Sequence, residues 1–439
     1  MKPRNKKQQH IVELNGRLRP LTTAQKQWAF SHTIDHYAYR LKSGKAVCMD
    51  CGHEWQEVGF GIYRCPNCGE RVEIRNTKER VRQDKSYFNV ITTIEVYQVV
   101  RMFLMIVEMR KGMKAKPAYL EIGQYWIDPN GHATVMGLQR TLGYYVDSFA
   151  FGSPLEIRSD NDAFRHIAGQ WVYPRIKATD TIKRNGFKGC CHAMHPVTLF
   201  QQLLTNPKAE TLMKSGDIEM LRYLCQHPLE VDKYWNSIKV AKRAGYTFNA
   251  PSMWFDYIKM LERMGRDLHS PSLVAPKDLK HAHDEYVEKV NRQRVKEQRE
   301  ANRKKAEADQ DRFEELKGRF IGLTMTDGKI RLHTLDSVAE YYDEGTKQHI
   351  CVGSSGYYLK ADTLVFTATM GGKTIATVEI SLKDYSIIQC RAFANQVCEY
   401  TDQIAGIINA NKKMIAERKR ALVKPDHRQL RRWSQNQRL

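Results

Sequence analysis

The sequence predicts an α+β protein, with an N-terminal cysteine ribbon and antiparallel β region, a helical middle, and a C-terminal small antiparallel sheet plus helix. Two Cys-x-x-Cys pairs lie near the N-terminus, the apolar pattern then changes from strand-like to helical, and two strand-like segments flank Gly371-Gly372. Adjacent glycines favour a β-hairpin because both turn positions take positive φ readily. We place an N-terminal helix and ribbon at 1–80, the β region at 81–158, the helical region at 159–276, a charged helical linker at 277–317, a C-terminal cassette at 318–422 and a basic tail at 423–439.

The composition is that of a folded and strongly basic protein. The 439 residues are 42% hydrophobic, and the formal net charge is +21. A chain of this length can bury a sizeable core. The charge excess predicts a polyanionic partner, nucleic acid before a membrane surface. The alternative is a set of solvated basic helices without such a partner.

The sequence shows no membrane pattern. The basic start, Met1 to Lys7, is not followed by an apolar segment, and the longest clean apolar run is Met102 to Val107. That run is too short to span a bilayer. We therefore expect no secretory signal, no membrane insertion and a cytoplasmic location.

The paired cysteines predict a metal site. Cys48 and Cys51 form one Cys-x-x-Cys knuckle, and Cys65 and Cys68 form a second one. Each knuckle aims two thiolates at one point, and two knuckles complete a tetrahedral site for one structural Zn²⁺ per chain. Four thiolates leave no open coordination position for catalysis. Iron in place of zinc and disulfides are the alternatives. Such a zinc ribbon can contact nucleic acid, contact protein or brace a domain.

The rest of the chain is read from its periodicity. Residues 1–20 are basic and polar and are expected to be loose, and a helix is expected over 22–41. Strands are expected between 86 and 157, with a hairpin at Asp128-Pro129-Asn130-Gly131. Apolar residues spaced by three and four predict short helices over 160–275. A long solvated helix is expected over 277–317.

The C-terminal end is the most basic segment. A helix is expected over 400–421, and residues 412–439 contain ten Lys or Arg against two acids. With Trp433 among its arginines, this tail is predicted to bind a nucleic-acid backbone and to stack on a base. A disordered basic tail without a specific role is the alternative.

The C-terminal cassette is expected to contain a three-stranded meander. Its strands are predicted at 363–370, 374–382 and 386–391, joined by Gly371-Gly372 and by a three-residue loop. This loop length sets Glu379 opposite Gln389 and Thr377 opposite Arg391. A one-residue slip would break these pairs and turn the side chains to the other face of the sheet. The glycine turn sets Glu379 opposite Leu364. A carboxylate on such a partly apolar face needs a partner, and Arg391 is expected to supply it.

The cassette contains a characteristic set of residues, namely His349, Cys351-Val352, Gly356-Tyr357-Tyr358, Asp362-Thr363-Leu364, Thr377 to Lys383, Gln389-Cys390-Arg391 and Asn395. In these residues it resembles the PcfJ-like family, whose members are encoded on bacterial conjugative plasmids, integrative elements and some phages. Ile350 stands where the family usually has a second histidine, and Ala392 stands where it favours glycine. The resemblance extends over roughly residues 20–420 and implies a bacterial cytoplasmic protein of a mobile element. Outside the cassette, the residues that carry it are Trp254 to Tyr257, Asp267-Leu268, Pro276 to Leu279 and His283-Asp284.

Two hypotheses of function follow. The first is a nucleic-acid-binding accessory protein, DNA before RNA, that acts in the transfer or maintenance of element DNA beside protein partners of a conjugative or phage system. The second is a nuclease, hydrolase or transferase, with either Cys351 as nucleophile or His349 as general acid–base, and with Arg391 stabilising a developing anion. Structural packing of the same residues is the alternative to catalysis. The candidate catalytic residues are His349, Cys351, Glu379, Gln389, Arg391 and Asn395.

Overall fold

The computed structural model describes residues 2–56, 59, 61–140 and 149–420. The chain divides into two compact units, Met1–Asp284 and Glu285–Leu439. Both mix helices with antiparallel sheets, so the predicted α+β class is confirmed. Within the described residues, no helix combines the length and the apolar character that crossing a membrane requires.

Two helices open the first unit. Helix α1 (Lys6–Asn15) begins where the Asn5 side chain accepts a hydrogen bond from the backbone N–H of Gln8, and it buries Ile11 and Leu14. The expectation of a loose N-terminus is therefore wrong. Helix α2 (Thr23–Thr33) has a capping box between Thr22 and Gln25. It ends eight residues earlier than expected, because the backbone turns extended at Ile34 and an aromatic strand follows.

The ribbon is a five-stranded sheet with the order β3-β2-β1-β5-β4. Its strand β1 pairs antiparallel with β2 and parallel with β5. The two cysteine knuckles lie at the end of β2 and in the turn between β4 and β5. The strands are β1 (Tyr37–Arg40), β2 (Lys45–Cys48), β3 (Glu54–Gln56), β4 (Ile62–Arg64) and β5 (Arg71–Arg75).

A six-stranded sheet follows, with the order β10-β9-β8-β7-β6-β11. It confirms the predicted antiparallel region, including the hairpin at 128–131, where the Asp128 carboxylate accepts from the backbone of Asn130 and His132. The short β11 adds in parallel to the edge of β6. The strands are β6 (Val81–Ile94), β7 (Tyr97–Arg110), β8 (Lys116–Ile127), β9 (Ala133–Gly137), β10 (Glu156–Arg158) and β11 (Trp171–Val172).

Short helices complete the first unit, as the spacing of apolar residues predicted. Proline stands in the first turn of several of them, where its missing N–H costs no hydrogen bond. They are α3 (Asp162–Ala168), α4 (Asp180–Arg184), α5 (Pro196–Thr205), α6 (Pro207–Ser215), α7 (Ile218–Gln226), α8 (Pro228–Lys233), α9 (Trp235–Arg243), α10 (Pro251–Arg263) and α11 (Pro271–Val274).

Helix α12 (Leu279–Lys317) is the predicted charged helix. Most of its side chains are exposed, and ion pairs one turn apart, such as Glu288 with Arg292, support it. Its C-terminal part belongs to the second unit, where Ala306 and Phe313 are buried.

The second unit is built on a five-stranded sheet with the order β12-β13-β14-β15-β16. Its apolar face packs against isoleucines of α14 and α15. The predicted helix over 400–421 is two helices that break at Asn411, and the tail from 421 lies outside the described residues. The elements are β12 (Thr324–Thr326), β13 (Ile330–Thr334), α13 (Val338–Gln348), β14 (Thr363–Met370), β15 (Lys373–Ser381), β16 (Ile387–Arg391), α14 (Thr401–Ala410) and α15 (Lys412–Arg420).

The meander of β14, β15 and β16 has the predicted strand order. Glu379 pairs with Gln389 and Thr377 pairs with Arg391, so this predicted register is confirmed. The predicted pairing of Glu379 with Leu364 is wrong, because a β-bulge near the glycine turn shifts the register by one residue. Val365 therefore lies opposite Glu379.

Candidate functional site

The four cysteines of the ribbon converge as predicted. Their sulfur atoms all lie within 4.8 Å of one another, with 3.9 Å between Cys48 and Cys68 and 3.6 Å between Cys51 and Cys65. A tetrahedral zinc site with Zn–S bonds of about 2.3 Å separates its sulfurs by about 3.8 Å. All four are free cysteines, at separations well beyond a disulfide bond of about 2.05 Å. The cluster therefore fits a metal ion in a zinc ribbon.

The two knuckles have different surroundings. Cys48 is fully buried, and burial raises the pKa of its thiol, so a bound cation is needed to hold it as a thiolate. The backbone of Asp50 accepts from the N–H of Ala115 at 2.8 Å, and a Cβ on Gly52 would lie 2.7 Å from the backbone of Gly112. The first knuckle is therefore braced against the β7–β8 turn. In the second knuckle, Cys68 is exposed.

The second unit has a polar pocket on the sheet face opposite its apolar core. Alternation along β14, β15 and β16 directs Leu364, Phe366 and Val378 into that core and sends their neighbours to the pocket side. The pocket has a volume of about 410 Å³. Its lining residues are Ile350, Cys351, Val352, Tyr357, Val365, Thr377, Glu379, Gln389, Arg391 and Asn395.

Five of the six candidate catalytic residues line this pocket. The sixth, His349, does not line it; its ring packs against Phe393 with 4.8 Å between the ring centroids. Within residues 149–420, no hydrogen bond joins His349 to Cys351. The structure thus brings Cys351, Glu379, Gln389, Arg391 and Asn395 together but leaves the thiol and the imidazole unpaired. Their catalytic roles stay predictions.

A closed hydrogen-bond network holds the buried carboxylate of Glu379. Lys360 Nζ donates to Oε1 at 2.9 Å and Gln389 Nε2 donates to Oε2 at 2.8 Å. The same Gln389 amide donates to the Tyr357 hydroxyl at 3.0 Å, and the Lys360 ammonium lies 3.4 Å from the centroid of the Tyr357 ring. The prediction that Arg391 is the partner of Glu379 is wrong, because Lys360 approaches from the loop after α13.

Two buried polar residues beneath the pocket were missed from the sequence. Glu344 on α13 is 5% exposed and accepts from the Thr377 hydroxyl at 2.6 Å; burial holds the pKa of its carboxyl above the ordinary range. Lys317 is 1% exposed, and burial lowers the pKa of its amine to about 8. It donates to the carbonyl oxygens of Lys360 and Thr363. An acid spaced three residues from Tyr341 on an otherwise apolar face was the available signal for Glu344.

In the described part of the chain, potential metal ligands converge in the ribbon and not in the pocket. In that part, the ribbon cysteines are the sole group of three or more potential ligands whose donor atoms come together. The pocket holds one carboxylate, Glu379, and both of its oxygens already accept hydrogen bonds. The other polar side chains that line the pocket are Cys351, Tyr357, Thr377, Gln389, Arg391 and Asn395.

Comparison with known proteins gives one match. Residues 253–405 match the family model described as PcfJ-like protein. No curated protein and no solved structure matches the chain at a significant level. The matched segment contains α12, α13 and the whole pocket, and it begins after the ribbon. Through this segment, about a third of its length, the chain is similar to the PcfJ-like protein family.

Proposed function

We propose that this protein binds nucleic acid through its first unit, as an accessory protein of a bacterial mobile element. Residues 1–284 carry 42 Lys or Arg against 28 Asp or Glu. The observation that carries the proposal is a set of exposed cations around the ribbon, none of which forms an ion pair with a described residue. These ribbon cations are Lys42, Lys45, Arg64, Arg71, Lys78, Arg80, Lys114 and Lys116.

Four acids of the ribbon are engaged by groups other than these cations. Asp50 is bound to His36, Glu73 to Arg75, Glu79 to the Tyr39 hydroxyl and Glu70 to Ser31. The ribbon cations are thus left to solvent or to a polyanion, and Lys and Arg bind phosphates by releasing condensed counterions. The ribbon itself is proposed to hold one structural Zn²⁺ that keeps these strands in place.

The experiment compares two variants with equal charge loss. Lys42, Lys45, Arg64 and Arg71 are changed to Gln in the first, and Lys239, Arg243, Lys277 and Lys280 in the second. All eight are exposed residues of the first unit without ion pairs to described residues. For duplex DNA, the slope of log affinity against log salt should fall by about 0.9 for each phosphate that the ribbon variant no longer neutralises. An equal decrease in both variants would contradict binding at the ribbon.

The zinc is tested on the purified chain. Elemental analysis should give about one zinc per chain, because four thiolates form one closed site. Replacement of Cys48 and Cys65 by Ser should abolish it, whereas replacement of the exposed Cys190 should not. Zinc retained after loss of both ribbon cysteines would refute the site.

A second proposal is that the pocket of the second unit is a catalytic centre with Cys351 as its nucleophile. Its support is the convergence of five candidate residues in one pocket. If Cys351 is a nucleophile, iodoacetamide should alkylate it faster than the exposed Cys190, and Arg391→Gln should slow that alkylation by removing a nearby cation. Equal alkylation rates at the two cysteines would contradict this proposal.

A further inference from the structure

The charge balance of the pocket leaves one cation without a partner. The carboxylate of Glu379 is neutralised by Lys360, and its second oxygen is taken by Gln389. Arg391 lines the same pocket from β16, and among residues 149–420 its guanidinium has no ion pair or hydrogen bond. The lining residues together with Lys360 thus carry one positive charge more than negative charges, and the excess lies on Arg391.

The groups beside Arg391 are hydrogen-bonding amides. Asn395 lines the pocket and its side chain has no partner among the described residues. Gln389 commits its amide N–H groups to Glu379 and Tyr357, which leaves its carbonyl oxygen to accept a hydrogen bond. The pocket therefore offers a fork of guanidinium donors, an amide with both functions and a further acceptor.

An exposed aromatic side chain lies in the chain between the lining residues Arg391 and Asn395. Phe393 is 51% exposed, lies two residues after Arg391 and packs against the His349 ring. The backbone near Phe393 is uncommon in form, since His349, Ala394 and Asn395 all have left-handed φ values, of 54°, 53° and 62°. Of these three, Asn395 lines the pocket, and a non-glycine residue held in the left-handed region is a form of local strain that is found at ligand sites.

We infer that this pocket binds a nucleotide, with the phosphate paired to Arg391, the polar edge of the base hydrogen-bonded to Asn395 and Gln389, and the ring lying against Phe393. A guanidinium matches phosphate oxygens in a two-pronged geometry, and an exposed aromatic ring stacks on any base. A volume of about 410 Å³ can hold one nucleotide and no more. The inference concerns the pocket of the second proposal, but it requires neither catalysis there nor nucleic-acid binding at the ribbon.

The phosphate that pairs with Arg391 can belong either to a free mononucleotide or to the 5′ end of a nucleic-acid strand. Calorimetric titration of the full chain with adenosine 5′-monophosphate, adenosine and inorganic phosphate tests the pocket itself. A hexanucleotide with and without a 5′-phosphate then separates the sources. Adenosine 5′-monophosphate should bind more tightly than adenosine or phosphate alone. Preference for the phosphorylated hexanucleotide over the mononucleotide assigns the strand end, and the reverse assigns the free nucleotide.

Variants of single residues make the test specific. Arg391→Gln should weaken binding of adenosine 5′-monophosphate about tenfold or more, and Arg391→Lys should restore only part of it. Arg331→Gln is the matched control, because Arg331 is an exposed arginine on the same sheet that does not line the pocket. Phe393→Ala should weaken the binding of adenosine 5′-monophosphate about fivefold or more and leave the binding of inorganic phosphate unchanged.

Three outcomes would overturn the inference. They are no binding of any nucleotide, binding that Arg391→Gln leaves unchanged, and tighter binding of a dicarboxylate such as glutarate than of the nucleotide. Failure of the other proposals gives different results. If only the catalytic proposal fails, Cys351 and Cys190 are alkylated at equal rates while the full chain still binds adenosine 5′-monophosphate. If only the ribbon proposal fails, the two four-cation variants lose DNA affinity equally and both still bind the nucleotide.

Discussion

The ion pair between Lys360 and Glu379 should lose different amounts of stability depending on which of its two partners is replaced. The side chain of Glu379 is 4% exposed, whereas that of Lys360 is 43% exposed. Lys360→Met leaves a buried carboxylate with one neutral donor, from Gln389. Glu379→Gln leaves a lysine that water can solvate. The two substitutions break the same ion pair, yet the first should cost more.

The magnitudes follow from the exposure of each partner. Removing one partner of a fully buried pair costs about 3–5 kcal/mol, and the half-exposed lysine reduces this to about 2 kcal/mol for Lys360→Met. Glu379→Gln keeps the side-chain size and should cost about 1 kcal/mol or less. The double variant, Lys360→Met with Glu379→Gln, has no carboxylate left without its cation, so its cost should fall below that of Lys360→Met alone.

Hydrogen exchange of β15 in the full chain is the suitable measurement. Six of the seven tryptophans lie within residues 1–284, so their fluorescence reports on the first unit. Exchange of peptides covering 373–381 reports the free energy of local opening around Glu379. Lys329→Met is the matched control, since Lys329 is exposed in the β12–β13 turn and does not contact the pocket. A cost of Glu379→Gln equal to or above that of Lys360→Met would refute the reasoning.

Three further predictions test other parts of the structure. Burial raises the pKa of the Glu344 carboxyl, so the folded protein is favoured at low pH and loses stability as the pH rises through that pKa. The Glu344→Gln variant should therefore protect β15 from exchange as well as the parent does near pH 5, and better than the parent at pH 8. Gly353→Ala should destabilise the pocket loop by about 1–3 kcal/mol, because the added Cβ would lie 2.7 Å from the Tyr341 carbonyl oxygen, whereas Gly356→Asn, at an open left-handed position, should cost less in the same exchange experiment. Deleting residues 421–439 should reduce the salt dependence of DNA binding in filter-binding measurements; an unchanged slope would exclude the tail from the interface.

Local features of the sequence account for the parts of the fold that were predicted correctly. The ribbon follows from cysteine spacing. The Thr377–Arg391 and Glu379–Gln389 pairs are as predicted, but between them and the loop the register shifts at Ile380, which pairs with Ile387. The bulge near Gly371 shifted the β14–β15 register by one, because nothing in the local pattern distinguishes an extra residue from a paired one. Helix α1 was missed because its two buried residues, Ile11 and Leu14, pack against strands distant in sequence.

The pocket shows the same limit at the level of single charges. Strand alternation places Glu379 and Arg391 on one face, which made their pairing the natural prediction. Which cation reaches the carboxylate is decided by the path of the loop after α13, and Lys317 holds that loop at the carbonyls of Lys360 and Thr363. The loop carries Lys360 to Glu379 and so frees Arg391. A buried lysine that does not line the pocket therefore sets the charge that the pocket presents to a ligand.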